Sequence, residues 1–345
     1  MTTLGEAIRL VRTSEGMSQS DLASLTGLTQ ATLSRYESGS REPGDETLDR
    51  LSAVLGIATD VLQSLPAFGK SIAFDAHMHR DGGSKSTVWG RYEARLNMLR
   101  IHISRLAESA EVRSGTALPR FDPSEVSVAE AARRTRLRWQ LPDGPIASMV
   151  DSMEDAGCFI TEFPISPSRG VALSQWAEGT PVVMLDSAAP ADVARETLAH
   201  ELGHLVLHSE PGRASADAER EADAFAAAFL MPEREIRPAL ADVSVNRLYE
   251  LKLEWKVSLR TLLARAHDLK VVDDRRRNSI YKMLSRRGWL AAEPLGNALP
   301  PEEPILLAWV LARLQADGYS EDEVVAIGGF SDVASANRVL PFNRL

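Results

Sequence analysis

Residues 197–208 read Thr-Leu-Ala-His-Glu-Leu-Gly-His-Leu-Val-Leu-His, and this stretch decides what the rest of the chain must be. Leu198, Leu202, Leu205 and Val206 recur at helical spacing, which predicts a helix over 190–209 with a buried face. His200 and His204 stand at i and i+4 of that helix, so both imidazoles reach one ion. Glu201 lies beside the same face, where a carboxylate can take a proton from an attacking water and return it to a leaving amine. The natural ion for such a set is Zn2+, which accepts imidazole and carboxylate and keeps one position open when three protein ligands hold it. The pentapeptide alone arises by chance in about one such chain per hundred, so its surroundings carry weight. Three of the seven histidines fall within nine residues here. His208 extends the face by one more turn and reads as a packing or substrate-side residue.

Working outward, three short strands precede this helix: 158–163, 171–176 and 181–185, with a hairpin turn at 177–180. A second strong helix follows at 215–231. Upstream, Tyr92, Leu96, Leu99, Ile103 and Leu106 share one face of a helix over 87–113. Two more helices are read over 124–140 and 145–156, the second stopped by Gly157. Downstream, 233–290 reads as mostly helical with a small wing near Trp289, and 303–340 as helical again. The expected class is therefore α+β, mostly helical, with one small mixed sheet directly before the strongest motif.

The chain has 345 residues, 44% of them hydrophobic and 25% charged, which gives room for two or three domains and excludes global disorder. Its longest apolar stretch, around Ala224 to Met231, is far short of the roughly 18–20 residues a membrane span needs. The N-terminus shows no basic segment followed by an apolar core, so a cytoplasmic location is expected. Cys158 is the single cysteine, which excludes a disulfide framework or a zinc site built on cysteines within one chain.

Residues 219–223 read Glu-Arg-Glu-Ala-Asp and resemble the E-x-x-[SA]-[DN] element of gluzincin-type peptidases. That resemblance implies Glu219 as third metal ligand and Asp223 as the partner that orients a ligand histidine. Glu221, two residues on, is the rival for third ligand. The longer metzincin pattern is absent, because position 207 is Leu where that pattern has Gly. From about Val128 to Pro232 the chain resembles the ImmA/IrrE-like metallopeptidase family. The stretch includes Trp139-Gln-Leu-Pro-Asp-Gly-Pro-Ile146, Glu154-Asp-Ala-Gly157 and the run from Glu219 to Pro232. The family implies a zincin-like core in which an extended peptide pairs with the sheet edge beside the active-site helix. It also implies a substrate that is a repressor- or antitoxin-like regulator, and a role in a stress or mobile-element response.

Residues 4–62 resemble the Cro/C1-type (XRE-like) helix-turn-helix, through Ser18-Gln19, Leu22-Ala23, Gly27, Thr29 to Glu37, Gly39, Pro43 and Leu55-Gly56. A five-helix domain is implied, with helix three in the major groove. Gln30, Thr32 and Arg35 lie on its outer face, where Gln reads adenine and Arg reads guanine. Gln19 would touch phosphate. Residues 1–65, however, carry five Lys/Arg against nine Asp/Glu, and phosphate affinity is mainly electrostatic. A homodimer, or the basic run at 275–287, would compensate; residues 247–287 carry net +7 and the preceding 186–242 carry net −7.

The expected organisation is a helix-turn-helix at 1–65, a Gly/Pro-rich linker at 66–86, the peptidase domain at 87–235 and a helical C-terminal region at 236–345. Two functions stand open. One is a zinc endopeptidase that cleaves a regulatory protein and carries a DNA-binding domain. The other is a DNA-binding regulator or antitoxin whose peptidase-derived domain is not catalytic.

Overall fold

The computed structural model describes residues 3–65, 74–75, 86–112, 117–165, 172–177, 179–208, 216–290, 293–294 and 298–341. Five short helices open the chain: α1 (Leu4–Ser14), α2 (Gln19–Thr26), α3 (Gln30–Glu37), α4 (Asp45–Leu55) and α5 (Thr59–Ser64). Their starts are written in the sequence. Thr3 and Ser18 form capping boxes with Glu6 and Asp21, and Thr29 caps α3 by accepting the Thr32 N–H. Gly27 ends α2 at φ +70°, a backbone conformation that side chains resist, and so turns the chain sharply into α3. Ile8, Leu22, Leu33, Leu51 and Leu62 form the bundle's core.

Next come a two-residue strand β1 (Phe74–Asp75) and the long helix α6 (Ser86–Ser109). Residues 66–73 and 76–85 of the expected linker lie outside the described residues. Helix α6 has two apolar faces. Met98 and Ile101 complete the helix-turn-helix core, while Leu96, Leu99, Ile103 and Leu106 pack on the sheet. It stops at Ser109, short of the expected 113, and Glu111 takes a positive φ.

Helices α7 (Val128–Arg138) and α8 (Met149–Asp155) both begin later than read from sequence, because Ser127 and Ser148 are N-caps and hold the preceding residues outside the helix. The sheet consists of β1, β2 (Phe159–Phe163), β3 (Ala172–Ala177) and β4 (Thr180–Asp186), in the order β1-β3-β4-β2. β3 and β4 form an antiparallel hairpin; β2 runs parallel to β4. The outer edge of β3 is paired over Leu173 and Ser174 by β1, which satisfies backbone groups an edge strand would otherwise expose.

α9 (Ala191–Leu207) lies on one face of the sheet, with Leu198, Leu202 and Leu205 against Ile160, Val183 and Leu185. α6 covers the other face against Phe159, Leu173, Val182 and Met184. α10 (Ala216–Leu230) packs on α9; the loop 209–215 between them lies outside the described residues. Cys158 is fully buried in the same core, and burial pushes its thiol far up, so it packs and does not react.

The C-terminal region is helical: α11 (Glu233–Ala239), α12 (Val245–Trp255), α13 (Leu259–Asp268), α14 (Asp274–Arg286), α15 (Leu306–Ala316), α16 (Glu321–Gly328) and α17 (Val333–Ala336). Among the described residues there is no strand near Trp289, whose N–H closes a turn onto Leu284; the expected wing falls partly on 291–292 and 295–297, which lie outside the described residues. This region is fastened to what precedes it. Glu302 accepts the N–H groups of Met149 and Val150 at the start of α8, and Glu154 of α8 accepts those of Ile305 and Leu306 at the start of α15. Phe330 bridges Ile57 of the N-terminal domain, and Ala58 donates to the Gly329 carbonyl.

Candidate metal centre

α9 is fixed before it presents any chemistry. Near its start Arg195 pairs with Glu302 and donates to the Ile146 carbonyl at 2.8 Å, while Asp192 pairs with Lys252. Near its end the Trp176 indole donates to the Leu205 carbonyl at 3.1 Å, and the Phe121 N–H donates to that of Val206 at 2.9 Å. α10 approaches closely because Gly203 has no side chain: a Cβ there would meet the Ala222 Cα at 3.0 Å and the Phe225 Cβ at 3.2 Å. Gly203 is the fourth residue of the H-E-x-x-H pentapeptide, so the motif itself admits the helix that carries its acidic partners.

That approach brings three donor atoms together. Nε2 of His200 and Nε2 of His204 are 3.0 Å apart, and the two carboxylate oxygens of Glu219 lie 3.5 Å from one and 3.5 Å from the other. Ligands at about 2.0–2.1 Å around a tetrahedral ion stand roughly 3.3 Å from one another, and with one ligand atom taken from each residue the set lies within 4.8 Å, close enough to hold a single ion. The donor set also matches a His2Glu site, and the residues fit the ion. His204 is wholly buried and His200 nearly so. Glu201 is wholly buried on the same helix.

The surrounding carboxylates divide the work. Oδ1 of Asp223 lies 2.8 Å from Nδ1 of His200, so the ring donates there and turns its other nitrogen to the triangle. Glu221 points elsewhere: its Oε2 lies 2.8 Å from Nε2 of His208. Of the two rival carboxylates, Glu219 is the one that lies beside the two histidine nitrogens. Burial opposes charge on both histidines, with opposite outcomes. On His200 the Asp223 and Glu219 carboxylates outweigh burial and hold the pKa up at about 10. On His204 burial wins and brings it down to about 4, against the pull of Glu219. Burial pushes the Glu219 carboxyl up, but its hydrogen bonds to both histidines outweigh that and leave it well below the usual carboxylate range.

The residues expected to touch DNA are not gathered in this way. Gln30 and Arg35 are exposed on α3 and Thr32 is half-buried. The Thr32 hydroxyl lies 2.9 Å from that of Thr29. Gln30 donates to the Gln19 side chain at 2.7 Å, and Gln19 donates to the buried Glu37 at 2.8 Å, which also pairs with Arg12. The two glutamines read as separate contacts are thus one linked pair. What sequence reasoning missed is the contact of His208 with His204, whose Nδ1 atoms are 3.1 Å apart; the i+4 step between them was the signal for it.

A small helical bundle with an exposed third helix, together with a buried two-histidine, one-carboxylate cluster on paired helices, defines the class: a helix-turn-helix domain joined to a peptidase-type domain. The comparisons agree. Residues 153–267 match the family model of the IrrE N-terminal-like domain, and residues 8–62 match that of the helix-turn-helix, so the chain carries an IrrE-type peptidase domain behind an XRE-like one. Over 58 residues the chain is 43% identical to the SPbeta prophage-derived HTH-type transcriptional regulator YonR of Bacillus subtilis (strain 168). That match spans 17% of this chain and 54%, about half, of the regulator. No helix among the described residues is long and apolar enough to cross a membrane.

Proposed function

We propose that this chain is a cytoplasmic, zinc-dependent, site-specific endopeptidase that cleaves a repressor- or antitoxin-like regulator, and that its N-terminal domain binds DNA. The observation that carries this reading is the buried triangle of His200, His204 and Glu219 with Glu201 on the same helix. His200, His204 and Glu219 would hold the ion, and Asp223 would fix the His200 ring. When bound, zinc supplies Lewis-acid polarisation of a scissile carbonyl and makes water acidic enough to attack near neutral pH. Glu201 takes the proton that the attacking water loses as its oxygen bonds to the carbonyl carbon, then delivers it to the amine nitrogen as the C–N bond breaks. Burial strengthens these electrostatic effects by keeping solvent away. An extended substrate backbone would add to the β3 edge beyond the two residues that β1 covers.

On the DNA side, Gln30, Thr32 and Arg35 would meet base edges and Gln19 a phosphate. A homodimer would set two α3 helices on two half-sites and supply the electrostatic attraction that one acidic domain lacks. The division at 1–65, 66–86, 87–235 and 236–345 belongs to the same proposal, as does a role in a stress or mobile-element response. The test is proteolysis of a regulator encoded beside this gene, against Glu201→Gln. Cleavage by the parent chain alone supports the reading, and equal cleavage by both removes Glu201 from its role.

A second reading draws on the match of residues 8–62 to the helix-turn-helix family and on the 58-residue likeness to a transcriptional regulator: DNA binding is the activity and the peptidase-type domain senses or scaffolds. It predicts operator binding with no zinc-dependent hydrolysis in either variant.

A further inference from the structure

The two ligand histidines are held from behind by different devices, and only one belongs to the acidic element on α10 that the motif suggests. His200 leans on Asp223. His204 leans on His208, one turn on: their Nδ1 atoms are 3.1 Å apart, and Nε2 of His208 in turn reaches Oε2 of Glu221 at 2.8 Å. The three imidazoles stack along α9 with ring centroids 4.7 and 5.3 Å apart. His204 and His208 are fully enclosed, whereas the Glu221 side chain is about one-third exposed.

Proton counting gives this chain a direction. An ionised carboxylate only accepts, so Nε2 of His208 carries the proton that it donates to Glu221. An imidazole that carries its single proton on Nε2 has its lone pair at Nδ1. Two nitrogens in contact need one proton between them, and that proton sits on Nδ1 of His204. Its Nε2 is left bare, and this is the atom that faces His200 and Glu219.

We propose that His208 and Glu221 are positioning residues, and that the relay Glu221–His208–His204 fixes the tautomer and ring rotation of His204 as a metal ligand. This rests on the zinc reading above and adds two residues outside the donor set. Neither touches the reacting atoms. The relay is the counterpart of Asp223 on His200, built with one extra ring.

The test uses the full chain and zinc itself. His208→Phe keeps a ring without nitrogens, and Glu221→Ala removes the anchor from a partly exposed site. His208→Gln restores an acceptor and a donor on one amide. Zinc affinity is measured by chelator competition and the His204 tautomer by 15N NMR. His208→Phe and Glu221→Ala should each weaken zinc about 10–100-fold and leave His204 a mixture of tautomers, with His208→Gln recovering most of both. Wild-type affinity in both variants, or a proton on Nε2 of His204 in the parent chain kept without zinc, would overturn the relay. Should the parent chain bind no zinc, the metal reading falls, while the tautomer comparison still decides the relay. Should His208→Phe fail to fold, Glu221→Ala decides it.

Discussion

The seam between α9 and α10 and the outer face of α3 both carry polar residues picked out from sequence, and the two are built in opposite ways. At the seam two buried histidines converge with a partly buried Glu219, their ligand atoms within 4.8 Å of one another, and each histidine is held from behind. On α3 they are spread over an exposed or half-exposed surface and bond to one another. Burying unsatisfied polar groups is costly, so a buried cluster persists only with a complete set of partners. Its chemistry can therefore be read from the protein alone. A recognition face is completed by what it meets, and its meaning lies partly in the DNA.

The comparison can be broken at the seam first. Glu201→Gln keeps the donor triangle and should lower cleavage of a protein substrate about 10²–10⁴-fold with zinc content unchanged, checked by proteolysis and elemental analysis. Gly203→Val forces α10 off α9 and should cost roughly 1–3 kcal/mol of stability together with much of the zinc affinity, read by chemical denaturation and chelator competition. The same tests should find α3 indifferent. Arg35→Ala should instead weaken operator binding by about 1–3 kcal/mol, in a gel-shift series, without moving the unfolding midpoint or the zinc content.

The smallest effect concerns pH. Burial raises the carboxyl groups of Glu154 and Glu196 to about 7, against the backbone and hydroxyl hydrogen bonds they accept. Their folded pKa lies above the unfolded value, so the folded chain holds protons that the unfolded chain has released. They stabilise the fold most below about 4.5, and that contribution is lost as pH rises towards 7. Glu154→Gln should flatten its part of this slope in melting curves taken between pH 4.5 and 7.

Much of this was legible beforehand because spacing is geometry. The i, i+4 histidines, the Gly27 turn and the capped helix starts follow from rules that act within a few residues. So did the hairpin at 177–180, now the β3–β4 connection. What was not legible depends on encounters far apart in sequence. Nothing near Phe74 announces its pairing with Ser174, a hundred residues on. Glu219 and Glu221 are equally acidic and two residues apart, and only the rotation of α10 against α9 separates them.

The central claim is most directly tested by elemental analysis of the purified full chain and of Glu219→Ala. The account predicts about one zinc per chain in the first and little in the second. A parent chain that stays metal-free when zinc is supplied, or a Glu219→Ala variant with undiminished zinc, would contradict it.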